Sequence, residues 1–196
     1  MLNQSKTARS AARSQCTPVL TAIAAIAVVL GAALPAPSSH ASTAISSPSR
    51  PSKRLVKKRP QPAPSNRVAA NQLEQEAHAQ INRYRASKGL APFKWSDAIA
   101  QQARLHSSNM ASGRTGFSHD GFSDRVQGSG LTYRGAAENV AYNQGYSQPV
   151  DEAVKGWINS PGHRQNMEGN YDTAGIGIAQ NAKGEYYFTQ VFMKTQ

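Results

Sequence analysis

Between residues 42 and 68 the chain has seven basic side chains, no acidic one and hardly a large apolar one, and that stretch limits how much of it can fold. A segment of Ser, Pro, Lys and Arg buries too little surface to offset its chain entropy. It is expected to be a disordered linker with extended proline-rich parts. It reads either as a solvated tether or as an electrostatic attachment to an anionic envelope polymer or membrane surface. A folded core must then come from residues 69–196, which are enough for one domain.

The residues ahead of the linker follow a different logic. Lys6, Arg9 and Arg13 open the chain without an acid, residues 19–34 are almost wholly apolar, and Ser39-His40-Ala41 places small residues where a signal peptidase cuts. This is the layout of a secretory signal, with cleavage expected after Ala41. The apolar run is 16 residues long, short of the roughly 20 that a spanning helix needs, and Pro18, Pro35 and Pro37 bracket it. A stable transmembrane anchor is therefore not expected, and the product is placed outside the cell or in the cell envelope. Cys16 leaves with the signal, so the mature domain has no disulfide and must be held by its core.

The net charge of +11 belongs mostly to these first segments: residues 69–196 hold 12 basic against 11 acidic residues. A domain so near neutral lacks the footprint of a nucleic-acid binder.

Within residues 69–87, Leu73, Ala77, Ile81 and Tyr84 recur at helical spacing. Glu74 and Glu76 come early and Arg83, Arg85 and Lys88 late, an order that suits the helix dipole, and Gly89 and Pro92 close the element. Ser96 caps a second helix, with Ile99, Ala103, His106 and Met110 on one face, ending at Gly113. Residues 113–135 read as a long ordered loop with a short helix near 123–127, and loops of that length are commonly functional. Pro149 opens a third helix; Ser160-Pro161 starts a short fourth one through Met167. Residues 174–179 and 186–193 read as strands joined by a turn at 181–184. Helices followed by a closing antiparallel hairpin predict an α+β fold with helices packed on a sheet.

Three stretches set titratable residues among Gly, Ser and Asn: Phe117-Ser118-His119-Asp120, Ala137-Glu138-Asn139-Val140-Ala141, and the block running from Trp157 to Met167 that contains His163. Two imidazoles and a carboxylate suit metal ligation or acid–base work, although no local pair of ligands one helical turn apart is present. Plainer roles are open to each. Glu138 could accept hydrogen bonds from loop amides, His163 could bond Glu138, His106 could be a core histidine, and His78 reads as a surface residue. Asn166 reads as fixing backbone, and Arg125 and Arg164 as pairing with carboxylates or holding loops. Neither Ser118 nor Ser160 lies in a nucleophile elbow, and Gly175-Ile176-Gly177 is followed by a strand rather than a phosphate-binding helix.

These stretches resemble the CAP superfamily (cysteine-rich secretory proteins, antigen 5 and plant pathogenesis-related 1 proteins), in its cysteine-free bacterial branch. The matching residues are Asn82-Arg83-Tyr84-Arg85, Gly89-Leu90-Ala91-Pro92-Phe93 with Trp95, His119 with Arg125, Glu138-Asn139, the 157–167 block, Gly175-Ile176-Gly177 and Phe188-Thr189-Gln190-Val191-Phe192. They occur in the family's order across nearly all of residues 71–194. The resemblance implies an α-β-α three-layer sandwich with a central cleft, which in eukaryotic members holds two histidines and two glutamates. His119 and Glu138 match the first of each. Ser160 stands where the second glutamate would be and Tyr187 where the second histidine would be. The bacterial block supplies His163, whose ring is expected to approach the same cleft.

The expected cleft is thus lined by His119, Glu138, His163, Tyr187 and Ser160. Three functions compete for it. The first is a secreted, non-enzymatic CAP domain binding a small ligand, lipid, peptide or partner. The second is a metal-assisted hydrolase in which His119 and His163 hold a divalent ion such as zinc and Glu138 is a ligand or the catalytic base. The third places function in the basic linker as an envelope-binding module.

Overall fold

The computed structural model describes residues 64–196, with side chains from residue 70 onward. The secretory signal and residues 42–63 of the expected linker lie outside the described residues. The element order is α1 (Pro64–Ser87), β1 (Lys94–Trp95), α2 (Asp97–Ala111), α3 (Phe122–Gly128), β2 (Tyr133–Gln144), α4 (Pro149–Asn159), α5 (Pro161–Glu168), β3 (Thr173–Gln180) and β4 (Glu185–Thr195). Helix α1 starts at Pro64, five residues before the expected domain boundary, with proline at its first position. The Ser96 hydroxyl accepts from the Ile99 amide, the cap the sequence called for.

Four strands form one mixed sheet in the order β1-β3-β4-β2. β4 pairs antiparallel with both β2 and β3, and the two-residue β1 adds a parallel edge. Two strands were not foreseen. β1 is too short to leave a periodic signal. β2 contains one β-branched residue, Val140, among Gly, Ala, Asn and Glu, a composition that disfavours strand assignment. It forms because β4 offers it a ladder that is unbroken from Gly135 to Gln144, with one irregularity between Tyr133 and Gly135.

The sheet has a helix layer on each face. Ala77 and Ile81 of α1, Val154 and Trp157 of α4 and Met167 of α5 pack on Ala137, Ala141, Ile176, Phe188 and Phe192. On the other face Ile99 of α2 and Val126 of α3 meet Ala136, Val191 and Met193. Gly175 and Gly177 explain how closely α2 approaches. A Cβ on Gly177 would lie 2.0 Å from the Arg104 nitrogen, and one on Gly175 would lie 2.3 Å from the Ala100 nitrogen.

Two expectations along α1 are corrected. Glu74 is not a first-turn charge, because the helix begins ten residues earlier and its first turn holds no acid. It is wholly buried instead, accepting from Arg104 at 2.6–3.0 Å and from the Ile178 amide at 3.2 Å, so that it ties α1 to α2 and β3. Burial pushes its carboxyl up against the opposing pull of Arg104. His78 is likewise not at the surface. It is buried edge-on against Trp95 with ring centroids 5.2 Å apart, and Asn82 donates to its Nε2 at 3.1 Å. Burial lowers its pKa.

Candidate functional site

β2 is an edge strand, and its alternation sends neighbouring residues to opposite helix layers. Glu138 turns toward α3 while Asn139 turns toward α5. That single register decides the site.

On the α3 side, Arg125 donates from Nε to Glu138 Oε2 and from Nη2 to Oε1, both at 2.7 Å. His119 donates from Nδ1 to the same Oε1 at 2.9 Å. The Glu138, Arg125 and His119 side chains are 1%, 8% and 9% exposed, so this is a buried ion pair with a histidine bonded to it. Arg125 also donates to the Asp120 and His119 carbonyls at 2.7 and 3.2 Å, and to His106 Nδ1 at 3.0 Å. A guanidinium cannot accept, so His106 must carry its proton on Nε2, which donates to the Ser118 carbonyl at 2.9 Å. Burial first, and the Arg125 charge second, lower the His106 pKa and favour this neutral form.

Arg125 and His106 together therefore hold three successive carbonyls, those of Ser118, His119 and Asp120. The long loop is pinned through its carbonyls by these two side chains, rather than through its amides by Glu138. His106 is buried on the inner face of α2, as a core histidine is expected to be, and both its ring nitrogens are satisfied within this network. The expectation that Arg125 pairs with a carboxylate and holds the loop agrees with what is found.

On the α5 side, Ser160 ends α4 and caps α5 in an extended conformation, and its hydroxyl lies 2.8 Å from His163 Nδ1. His163 is fully buried. Asn139 donates to the His163 carbonyl at 3.1 Å; Asn166 donates to Asn139 Oδ1 at 2.9 Å and to the Glu138 carbonyl at 3.2 Å. Trp157 Nε1 donates to the Val140 carbonyl at 3.2 Å. Asn166 thus fixes backbone as expected, and with Trp157 it satisfies carbonyls of an edge strand that would otherwise invite another strand. Arg164 likewise holds the Ile158 carbonyl at 3.1 Å.

Tyr187 shares Glu138's face of the sheet but pairs with Tyr142, two same-face positions along the ladder from the Glu138–Val191 rung. Its ring packs on Tyr142 at 5.1 Å, and Phe117 of the long loop lies 6.5 Å from Tyr142. Burial, then the Glu185 carboxylate, raises the pKa of both tyrosines, whose hydroxyls donate toward Glu185. The candidate site therefore combines a polar part, His119 and Glu138, with an aromatic part, Phe117, Tyr142 and Tyr187. Phe117 stands in one of the stretches singled out from the sequence, whereas Tyr142 does not, because it lies on β2, which carries little strand signal.

The divalent metal expected at His119, Glu138 and His163 does not fit this donor set. Both Glu138 oxygens are already taken by Arg125 and His119, and a cation on that carboxylate would sit beside a guanidinium. Among the described residues no group of three or more His, Cys, Asp or Glu side chains is arranged to hold a metal ion.

Comparison with known proteins agrees with this architecture. The profile of the family described as "CAP: Cysteine-rich secretory protein family" matches residues 78–192. Among curated proteins of Bacillus subtilis, the uncharacterized membrane protein YlbC is 34% identical over 121 residues, covering 58% of this chain and 32% of its own length. The uncharacterized protein YkwD is 30% identical over 118 residues, covering 57% of this chain and 43% of its own. The chain thus spans less than half the length of these relatives. Among solved structures, an extracellular protein of Bacillus anthracis containing an SCP domain aligns with a TM-score of 0.57 at 28% identity, over 70% of this chain and 45% of that one. An outer surface protein of Borrelia burgdorferi aligns with a TM-score of 0.57 at 17% identity, over 65% of this chain and 96% of that one, a likeness of fold.

Proposed function

The chain belongs to the cysteine-rich secretory protein (CAP) family, and from that premise we propose that it is an exported, non-enzymatic protein that binds a ligand at the His119, Glu138 and aromatic positions described above. The observation that carries this reading is the state of Glu138. A carboxylate 1% exposed, held bidentately by Arg125 and bonded by His119, organises a surface and is poorly placed to take a proton from water. The partly exposed rings of Phe117, Tyr142 and Tyr187 beside it supply area for a small molecule, lipid or peptide. Export is supported by the three-part signal layout at the start of the sequence and by the extracellular protein of Bacillus anthracis among its structural relatives.

The test is native mass spectrometry of the full-length protein secreted by a bacterial host. The expected result is a co-purifying ligand near one per chain, lost in Tyr187→Ala and Tyr142→Ala. Turnover of a peptide or ester substrate that disappears on chelation, or in a folded Glu138→Ala variant, would overturn it in favour of hydrolysis. Salt-sensitive retention on cell-wall material that vanishes with residues 42–68 deleted, with no ligand in the site, would move function to the basic segment.

A further inference from the structure

We infer that the protein holds at least one internal water molecule on Gln190, in the layer between the sheet and α5. Gln190 is wholly buried on β4, the strand paired on both sides, between Ile176 of β3 and Asn139 of β2. Its same-face neighbours along β4, Phe188 and Phe192, belong to the apolar core. Yet neither Nε2 nor Oε1 has a hydrogen-bond partner among the described residues. A carboxamide brings two donors and an acceptor out of water, and leaving all of them unmet costs several times what a surface substitution does.

The nearest protein amide does not close on it. Asn139, directly across the ladder, gives one Nδ2 proton to the His163 carbonyl and receives Asn166 on Oδ1 but makes no bond to Gln190, so its second Nδ2 proton is left as a further group for a water to meet. Asn166 Nδ2 divides its two protons between that oxygen and the Glu138 carbonyl. The amides of Asn139 and Asn166 close on each other and leave Gln190 beside them with its capacity intact. A water has the donors and acceptors that this remainder requires. Buried waters are found where two to four otherwise unmet polar groups converge. Bound there, it extends the Asn139–Asn166 layer to the central strand and stiffens the sheet behind Glu138 and Asn139. It is independent of what the site on the opposite face binds.

The test uses the full-length, isotope-labelled protein. Cross-peaks between the Gln190 Nε2 protons and water, with the sign of a water resident longer than about a nanosecond, are expected. A crystal structure should show the same water within hydrogen-bond distance of Nε2 or Oε1. Gln190→Leu should lower Tm by about 2–8 °C, since it strips the water of its host. Gln190 protons without a water cross-peak, or an amide found paired to protein atoms in the crystal, would overturn the assignment. So would a Gln190→Leu variant with raised Tm in the absence of that cross-peak, the signature of a bare amide. If Gln190→Leu does not fold, the wild-type cross-peak and crystal structure decide alone.

Discussion

Arg125 closes both oxygens of Glu138, with Nε 2.7 Å from Oε2 and Nη2 2.7 Å from Oε1, and the two side chains are almost wholly buried. Removing one partner of such a pair strands the other charge in a dry place. Arg125→Met and Glu138→Met are each expected to cost about 3–5 kcal/mol. Arg125→Met should also free the Ser118 to Asp120 loop, while the double variant recovers a large part of the loss. Urea denaturation of the four proteins checks this; equal, additive losses would mean that the pair is not coupled.

His106 makes stability depend on pH in a definite direction. Its pKa is lowered in the folded protein by burial and by Arg125, so the unfolded chain takes up the proton first. The stability tied to its neutral form is present above the unfolded value near 6.5 and is lost as pH falls below it. Tm is expected to drop between pH 7.5 and 5, and His106→Gln should flatten part of that slope, with His78 supplying a further part.

Asp172 works in a more acidic window. Burial pushes its carboxyl up, but hydrogen bonds from the Thr195 amide, Thr195 Oγ1 and Thr173, with Lys194 at 3.3 Å, more than offset this and bring it from 3.8 to about 2. Its contribution is present above the unfolded value and is lost as pH falls through the folded one. Because the group is partly solvated, that contribution is on the order of 1 kcal/mol. Asp172→Asn should remove the corresponding fall in stability between pH 4 and 2, measured by chemical denaturation.

Gly177 can be tested against a neutral control. Gly177→Ala drives a methyl into the α2 backbone, where neither partner can yield, and should cost about 3 kcal/mol or prevent folding. Gly116→Ala meets nothing within 4 Å and should leave Tm within a degree or two. Thermal unfolding distinguishes the two, and similar losses at both positions would contradict the close approach of α2.

The helices are legible in the sequence because their signals are local. Ser96, Pro149 and Ser160-Pro161 mark starts by chemistry confined to one turn, and residues 181–184 mark the hairpin in the same way. β2 is not legible there, because among the Gly, Ala, Asn and Glu around Glu138 little besides Val140 and Tyr142 favours a strand until β4 lies beside them. His119, Glu138 and Arg125 stand out in the sequence, whereas the burial of His78 and Glu74 does not, because exposure depends on which face another element covers.

The sequence by itself determined an α+β domain, the family, and the residues with chemistry to offer. The tertiary structure alone decided what those residues do. Glu138 meets Arg125 and His119 across 13 and 19 residues, and Asn139 meets His163 across 24, through one strand whose alternation sends adjacent side chains to opposite layers. A shift of that register by one position would exchange the two layers' partners, and no local signal specifies it. Periodicity and capping act over a few residues, whereas a buried ion pair is chosen by packing, which is why the elements were legible and the site's wiring was not.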